Sequence, residues 1–324
     1  MPKIIRRSSP FHTSLYMNFD KPFVIKDYLK FIIEVACYRH PTNTKKRFKL
    51  LLRSLFWFRQ TALWYKHIVN SSLLSALVLT HKGLVEKPHK RYLRNDYSID
   101  DRLHKLVDHY SIFTSHFDIH LIEQIVFGNG LVLARIEISP EDVFELTLSV
   151  VEDECKEGEL AIQLHRPKGS NLAIMRFSLL PSKNGLNLYI AGIQGPKGIG
   201  SKEKVKGACK ALSGLSPNRL VLESCSALAN HLQVDQLLVV SDRQQVFKNK
   251  HHMHFSYDAF CSGLGGKANR HGDYLLPLFI ERKKWEDTPC KRRAKYKRQH
   301  ALLDAAYKNT QLMVGNLVSD SVLI

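Results

Sequence analysis

The sequence predicts an α+β fold: an N-terminal helical region followed by a mixed, largely antiparallel sheet with flanking helices. Two hydrophobic rhythms carry this expectation. Up to about Phe127 apolar residues recur at helical spacing, and from about Leu131 to Gln194 they alternate with a period of two. With 44% apolar residues over 324 positions the chain can build a real core, which excludes wholesale disorder. Three regions follow: a basic helical region over 1–127, an α+β core over 128–312 and a frayed tail over 313–324.

In the first region, Lys45–Val69 sets Phe48, Leu51, Leu52, Leu55, Phe56 and Leu63 at helical spacing, with Lys45, Lys46, Arg47, Lys49 and Arg53 clustered at its start. This pattern fits an amphipathic helix packed on the domain with solvated lysines. It also fits a helix lying in the plane of a membrane surface, with Trp57 and Trp64 near the headgroups. A second helical pattern spans Asp100–Phe127 and contains His109 and Tyr110, which read as structural.

The middle region reads as an antiparallel meander. Glu145–Val150 and Glu159–Leu164 alternate, Ala173, Met175, Phe177 and Leu179 share a face, and Leu186, Leu188 and Ile190 form a fourth run. Gly158, Pro167–Gly169 and Ser182–Gly185 supply turn chemistry between them. Such alternation implies a sheet with one covered face.

After the strand Leu188–Ile193 the expected order is a Gly-rich turn, helices Lys202–Leu212 and Asn218–Leu232, and a strand Gln236–Ser241. A short helix Tyr257–Leu264, a strand Tyr274–Ile280 and a terminal helix starting near Thr288–Pro289 complete it.

Forty-eight basic against thirty acidic side chains give a net charge of +18, a statement about partners rather than fold. The six cysteines are scattered without a CxxC, which argues for a reducing compartment and against a disulfide framework or a zinc site. The basic N-terminus lacks the apolar core of a signal peptide. The longest apolar run, near Leu73–Leu79, falls far short of the roughly 20 residues of a spanning helix. The expectation is a cytoplasmic protein whose membrane contact is peripheral, on the inner membrane.

The strongest binding signal is Arg282–Arg298, with nine Lys or Arg against Glu286 and Asp287, and with Trp285 and Tyr296 between them. Lys291, Arg292, Arg293, Lys295 and Arg298 are its candidate anion-binding residues, facing an anionic membrane surface or another polyanion. Nucleic acid is a weaker fit, because no RNA-binding aromatic signature or zinc-finger spacing accompanies the charge. The turn after Ile193 offers Gln194, Gly195, Gly198 and Gly200, whose backbone N–H groups at a helix start suit a phosphate. No GK[ST] follows, and a plain flexible turn is the stronger reading of the glycines. His251, His252 and His254 share one loop, but neighbours in sequence cannot all reach one ion, so they read as a polar loop and no metal is expected. No GxSxG, HExxH or triad signature is present.

Several stretches together resemble the VirK/YbjX family of Gram-negative bacteria, whose function is not known. They are EGEL (157–160), IAGIQG (190–195), KALSGLSPNRL (210–220), HFSYDAFCSGLGG (254–266), LLP (275–277) and KRRAKYKR (291–298), with weaker similarity at PHKRYL (88–93). Cys261 stands where the family pattern has tryptophan, and Gln233 where it has glycine. The resemblance implies a role in virulence and envelope integrity: the response to cationic peptides or bacteriocins and the surface display of outer-membrane proteins. It carries no catalytic set.

The order of meander, Gly-rich turn, helix, strand and YxxFxxxLGG also resembles the GNAT acetyltransferases. That likeness implies an acyl-CoA cofactor cradled by Gln194, Gly195, Gly198 and Gly200, with Tyr257 as general acid. Two departures weaken it: the turn is one residue too long, and the helix Asn218–Leu232 is additional.

Overall fold

The computed structural model describes residues 25–167, 169–247, 255–282, 286 and 288–315, and His251, His252, His254 and Trp285 lie outside them. The chain forms two compact units. One comprises Met1–Tyr92, Tyr97–Val107 and Glu152–Lys156; the other comprises Leu93–Asp96, Asp108–Val151 and Glu157–Ile324.

The first unit is helical: α1 (Ile25–Arg39), α2 (Thr44–Phe56), α3 (Phe58–Asn70), α4 (Ser72–Thr80) and a 3-10 stretch over Lys82–His89. Short polar residues fix the starts. Asn43 accepts from the Lys46 N–H and begins α2, and Ser71 accepts from the Leu74 N–H and begins α4. The core gathers Tyr28, Phe31, Ile32 and Val35 of α1 with Trp64, Tyr65 and Ile68 of α3 and Leu74 and Val78 of α4.

The single helix expected over Lys45–Val69 is two. Trp57 leaves helical geometry at φ −108°, ψ 44°, closing α2 and opening α3. Trp64 is fully buried, its Nε1–H donating to the Leu84 carbonyl at 2.9 Å, so it does not reach a headgroup layer. The face of α2 that packs inward carries Leu50 and Ser54, while Phe48, Leu52, Leu55 and Phe56 point out.

The second unit is built on an eight-stranded sheet of β1 (Leu131–Ser139), β2 (Asp142–Val150), β3 (Leu160–His165), β4 (Asn171–Pro181), β5 (Leu186–Gln194), β6 (Gln236–Val239), β7 (Lys267–Ala268) and β8 (Tyr274–Leu276). They lie side by side in the order β1-β2-β3-β4-β5-β6-β8-β7. β2 to β5 are the four runs of the expected antiparallel meander, and β1 adds a fifth strand to its edge. β6 then runs parallel to β5 and antiparallel to β8.

Helix α5 (Ile99–His116) contributes residues to both units; α6 (Ile119–Phe127) packs on β1 and β2. Between β5 and β6 come α7 (Ser201–Ala211) and α8 (Pro217–His231), the latter against β3, β4 and β5. The short α9 (Tyr257–Ser262) precedes β7, and the long α10 (Cys290–Gly315) packs along α8 and β1.

One expectation changes here. Leu172 to Leu180 are buried without alternation, so the central strands are covered on both faces rather than one. Alternation in the sequence survives because Arg176 and Ser178, on the second face, are polar yet buried.

Candidate functional site

The parallel pair β5–β6 holds only over Asn187–Ile190, and one further bond joins the Val240 N–H to the Ile190 carbonyl at 2.9 Å. Beyond that point β5 continues to Gln194 without β6. A bulge marks the place: Phe177 faces Ile190 and Arg176 faces Gly192, leaving Ala191 as the extra residue. The edge vacated by β6 is met by a side chain, Tyr257, whose Oη accepts the Ile193 N–H at 2.9 Å. The start of α9 holds Tyr257 there. Ser256 caps it onto the Ala259 N–H, and Asp242 accepts the Tyr257 N–H at 2.7 Å.

Beside Tyr257 lies a buried carboxylate. Glu157 Oε2 accepts from Arg176 Nη1 at 3.2 Å and from Gln194 Nε2 at 2.6 Å, and Oε1 accepts from Gln245 Nε2 at 2.7 Å. Gly192 makes the room: a Cβ there would stand 2.9 Å from the Glu157 Cβ. Gly158 does the same next door, with φ +145° and no space for a Cβ over the Phe177 backbone. Burial, and then the Glu157 charge, raise the Tyr257 hydroxyl well above the ordinary phenol range, so it keeps its proton at any physiological pH. The Oε1 of Gln194 is buried with no hydrogen-bond partner among the described residues.

The turn that leaves this cluster is open. A Cβ at Gly195, Gly198 or Gly200 would meet no heavy atom within 4 Å, so packing does not explain these glycines. Gly198 and Gly200 adopt φ +88° and +76°, which does. Gly200 is also the N-cap of α7 and supplies no capping side chain, whereas Asn43, Ser71, Asp118, Ser216 and Ser256 all cap their helices. Among the predicted site residues, the structure therefore brings Gln194 and Tyr257 to one cluster, with Gly195, Gly198 and Gly200 on the adjoining turn. Glu157, Arg176 and Gln245 escape sequence reasoning. The only available signal was the glutamate of EGEL and the glycine of IAGIQG, which prove to be packed on each other.

Among its described residues the basic segment divides into two parts. Arg282 is used internally: its Nη2 reaches the buried Glu223 at 3.2 Å and its Nη1 reaches Asp304 at 2.6 Å, with Arg219 completing the group at 2.6 Å from Glu223. Lys291, Arg292, Arg293, Lys295, Lys297 and Arg298 sit in the first turns of α10 and are all exposed. Burial of α10 begins only at Leu303 and continues through Ala306, Thr310 and Val314. Positions 291–295 are exposed in succession, which covers more than a full turn, so the helix start is solvated all round. Within it, Arg293 Nε donates to the Thr288 carbonyl, and Lys295 leans over Gly214, where a Cβ would stand 2.6 Å from its Nζ. No acidic residue stands in this first turn. Cations at the positive end of a helix dipole are unfavourable by a few tenths of a kcal/mol each, up to about 1, and an anion there reverses the sign.

Among the described residues no helix is long and apolar enough to cross a membrane. No solved structure matches the chain. Among curated proteins, it is 30% identical to "Uncharacterized protein YbjX" of Escherichia coli (strain K12) over 265 residues, 80% of each chain. It is 32% identical to an uncharacterized protein of Haemophilus influenzae over 183 residues, 55% of this chain and 60% of that one. It is 31% identical to "Membrane protein LapB" of Mannheimia haemolytica over 204 residues, 62% of this chain and 84% of that one. The model of the protein family of unknown function DUF535 matches residues 39–311, and with that span and the YbjX relative the chain belongs to the VirK/YbjX (DUF535) family.

Proposed function

We propose that this protein is an accessory factor of the bacterial envelope that engages an anionic surface peripherally, in the virulence and envelope-stress setting its family resemblance implies. The observation that carries the reading is the start of α10, where Lys291, Arg292, Arg293, Lys295, Lys297 and Arg298 stand exposed on a helix end that itself favours anions. The Mannheimia relative is named a membrane protein, which supports the setting. Juxtamembrane basic residues contribute about 1 kcal/mol each near an anionic leaflet. In flotation with phosphatidylcholine vesicles, with and without phosphatidylglycerol, the protein is expected to float far more with the anionic vesicles than with the neutral ones. The Arg292→Glu/Arg293→Glu variant is expected to bind them at least tenfold more weakly, since two charges are reversed. Equal, negligible binding of the parent to both vesicle types at low salt would remove the reading.

A second function is favoured by the parting of β5 from β6. An acyl-CoA would find open glycines and the uncapped N-terminus of α7 for its pyrophosphate, at Gln194–Gly200, and the unpartnered Gln194 Oε1 beside them. It would supply an activated acyl thioester, while Tyr257 holds a proton at Oη against the freed edge of β5. Acetyl-CoA should then raise the melting temperature of the parent and leave that of Gly198→Glu unmoved. No shift at millimolar ligand in the parent refutes acyl transfer.

A further inference from the structure

The apolar face of α2 is on the wrong side for a core. Phe48, Leu52, Leu55 and Phe56 are exposed by 62%, 51%, 46% and 82%. At 100° per residue these four positions fall within one stripe about 100° wide, and the buried Leu50 and Ser54 lie on the opposite side of the helix. A single exposed leucine needs no explanation, but an aligned stripe of four large side chains along a 13-residue helix does. The sequence of α2, TKKRFKLLLRSLF, contains five basic residues and no acidic one. Lys45 and Lys49, both exposed, straddle one edge of the stripe, one turn apart, Lys45 just inside it and Lys49 just beyond it.

We infer that this face of α2 docks in the interfacial layer of an anionic lipid bilayer. Phe48, Leu52, Leu55 and Phe56 would enter the acyl boundary, and Lys45 and Lys49 would reach back to the headgroups. The setting rests on the peripheral-membrane reading above, but the residues belong to the other unit and are independent of α10. Charge complementarity selects the occupant. A second copy would bring Lys45 and Lys49 of this face against their own counterparts, and the chain's own first residues carry Lys3, Arg6, Arg7 and Lys21 against Asp20 alone. An anionic bilayer offers both things the face lacks: an apolar layer at a depth of about 5–10 Å and negative charge at its rim. Lysine stems beside an apolar stripe suit this geometry because they cover apolar surface while their ammonium groups stay wet.

The test uses the full chain with phosphatidylcholine/phosphatidylglycerol vesicles. Phe48→Ser/Leu52→Ser removes two exposed side chains, so its melting temperature should match the parent while its partition onto vesicles falls roughly tenfold or more. In the Phe56→Trp variant, the emission added over the parent should be quenched by brominated lipid. Without vesicles, that added emission should be that of a solvated indole open to iodide. If Arg292→Glu/Arg293→Glu loses binding and Phe48→Ser/Leu52→Ser keeps it, the inference fails while the anionic-surface reading stands. If the parent never floats, both fail. Two other results overturn the inference alone. One is a parent dimer that the Phe48→Ser/Leu52→Ser variant turns into a monomer. The other is an added indole in Phe56→Trp that is already buried and iodide-protected without lipid.

Discussion

His89 is a neutral imidazole set by its neighbours. Thr61 Oγ1 donates to the Trp57 carbonyl at 2.8 Å, so at 2.9 Å it must accept from His89 Nε2–H, leaving the Nδ1 lone pair buried without a partner among the described residues. Burial first, and then the nearby Arg53, Arg102 and Lys90, lower its pKa to about 4, and Glu86 offsets only part of this. Because the folded value lies below the unfolded one, the unfolded chain binds the extra proton. Stability is therefore full above about pH 6.5 and is lost as pH falls towards about 4, by on the order of 3 kcal/mol for this group. Burial lowers His67 and His40 in the same direction, which steepens the trend. Urea unfolding followed between neutral pH and about pH 4.5 should show the first unit weakening, and His89→Gln should flatten the slope by one proton's worth. An unchanged slope in that variant would place the titration elsewhere.

At the scale of elements, the glycines separate folding from function. At Gly158 the backbone is left-handed and a Cβ would collide with Phe177 backbone atoms at 2.6–2.8 Å. Gly158→Ala should cost at least about 2 kcal/mol, from strain and clash together. Gly198→Ala meets open space and should cost about 1 kcal/mol for its positive φ alone, while Gly195→Ala should be nearly neutral. Denaturant midpoints of the three variants check the order, and a costly Gly195→Ala would mean that the turn is packed after all. The same contrast explains what the sequence could disclose. Period-two alternation located β2 to β5 because each strand carries its own pattern. The separation of β5 from β6 has no such pattern, since it depends on where a parallel partner stops. Trp57 ended α2 without Pro or Gly, so no punctuation announced the break. The outward stripe of α2 has the same spacing as an inward one, and only the fold distinguishes them. Of the candidate cluster, Gln194 and Tyr257 were visible beside their motifs. Glu157, Arg176 and Gln245 join it across 19 to 88 positions of sequence, a distance that spacing arguments do not bridge.

Across the whole molecule, a net charge of +18 gives long-range attraction to any anionic surface, and salt tells that attraction apart from apolar insertion. The Debye length falls from about 10 Å at 0.1 M ionic strength to about 3 Å at 1 M, so the contribution of Lys291–Arg298 should fade over that range. Burial of Phe48, Leu52, Leu55 and Phe56 in lipid would not fade, because apolar transfer does not depend on charge. Vesicle binding of the parent should therefore fall with salt to a plateau rather than to zero. In Arg292→Glu/Arg293→Glu the plateau should remain and the slope shrink. In Phe48→Ser/Leu52→Ser the slope should remain and the plateau vanish. A parent curve that drops to nothing at about 1 M salt would assign all of the binding to charge and leave α2 without a lipid role.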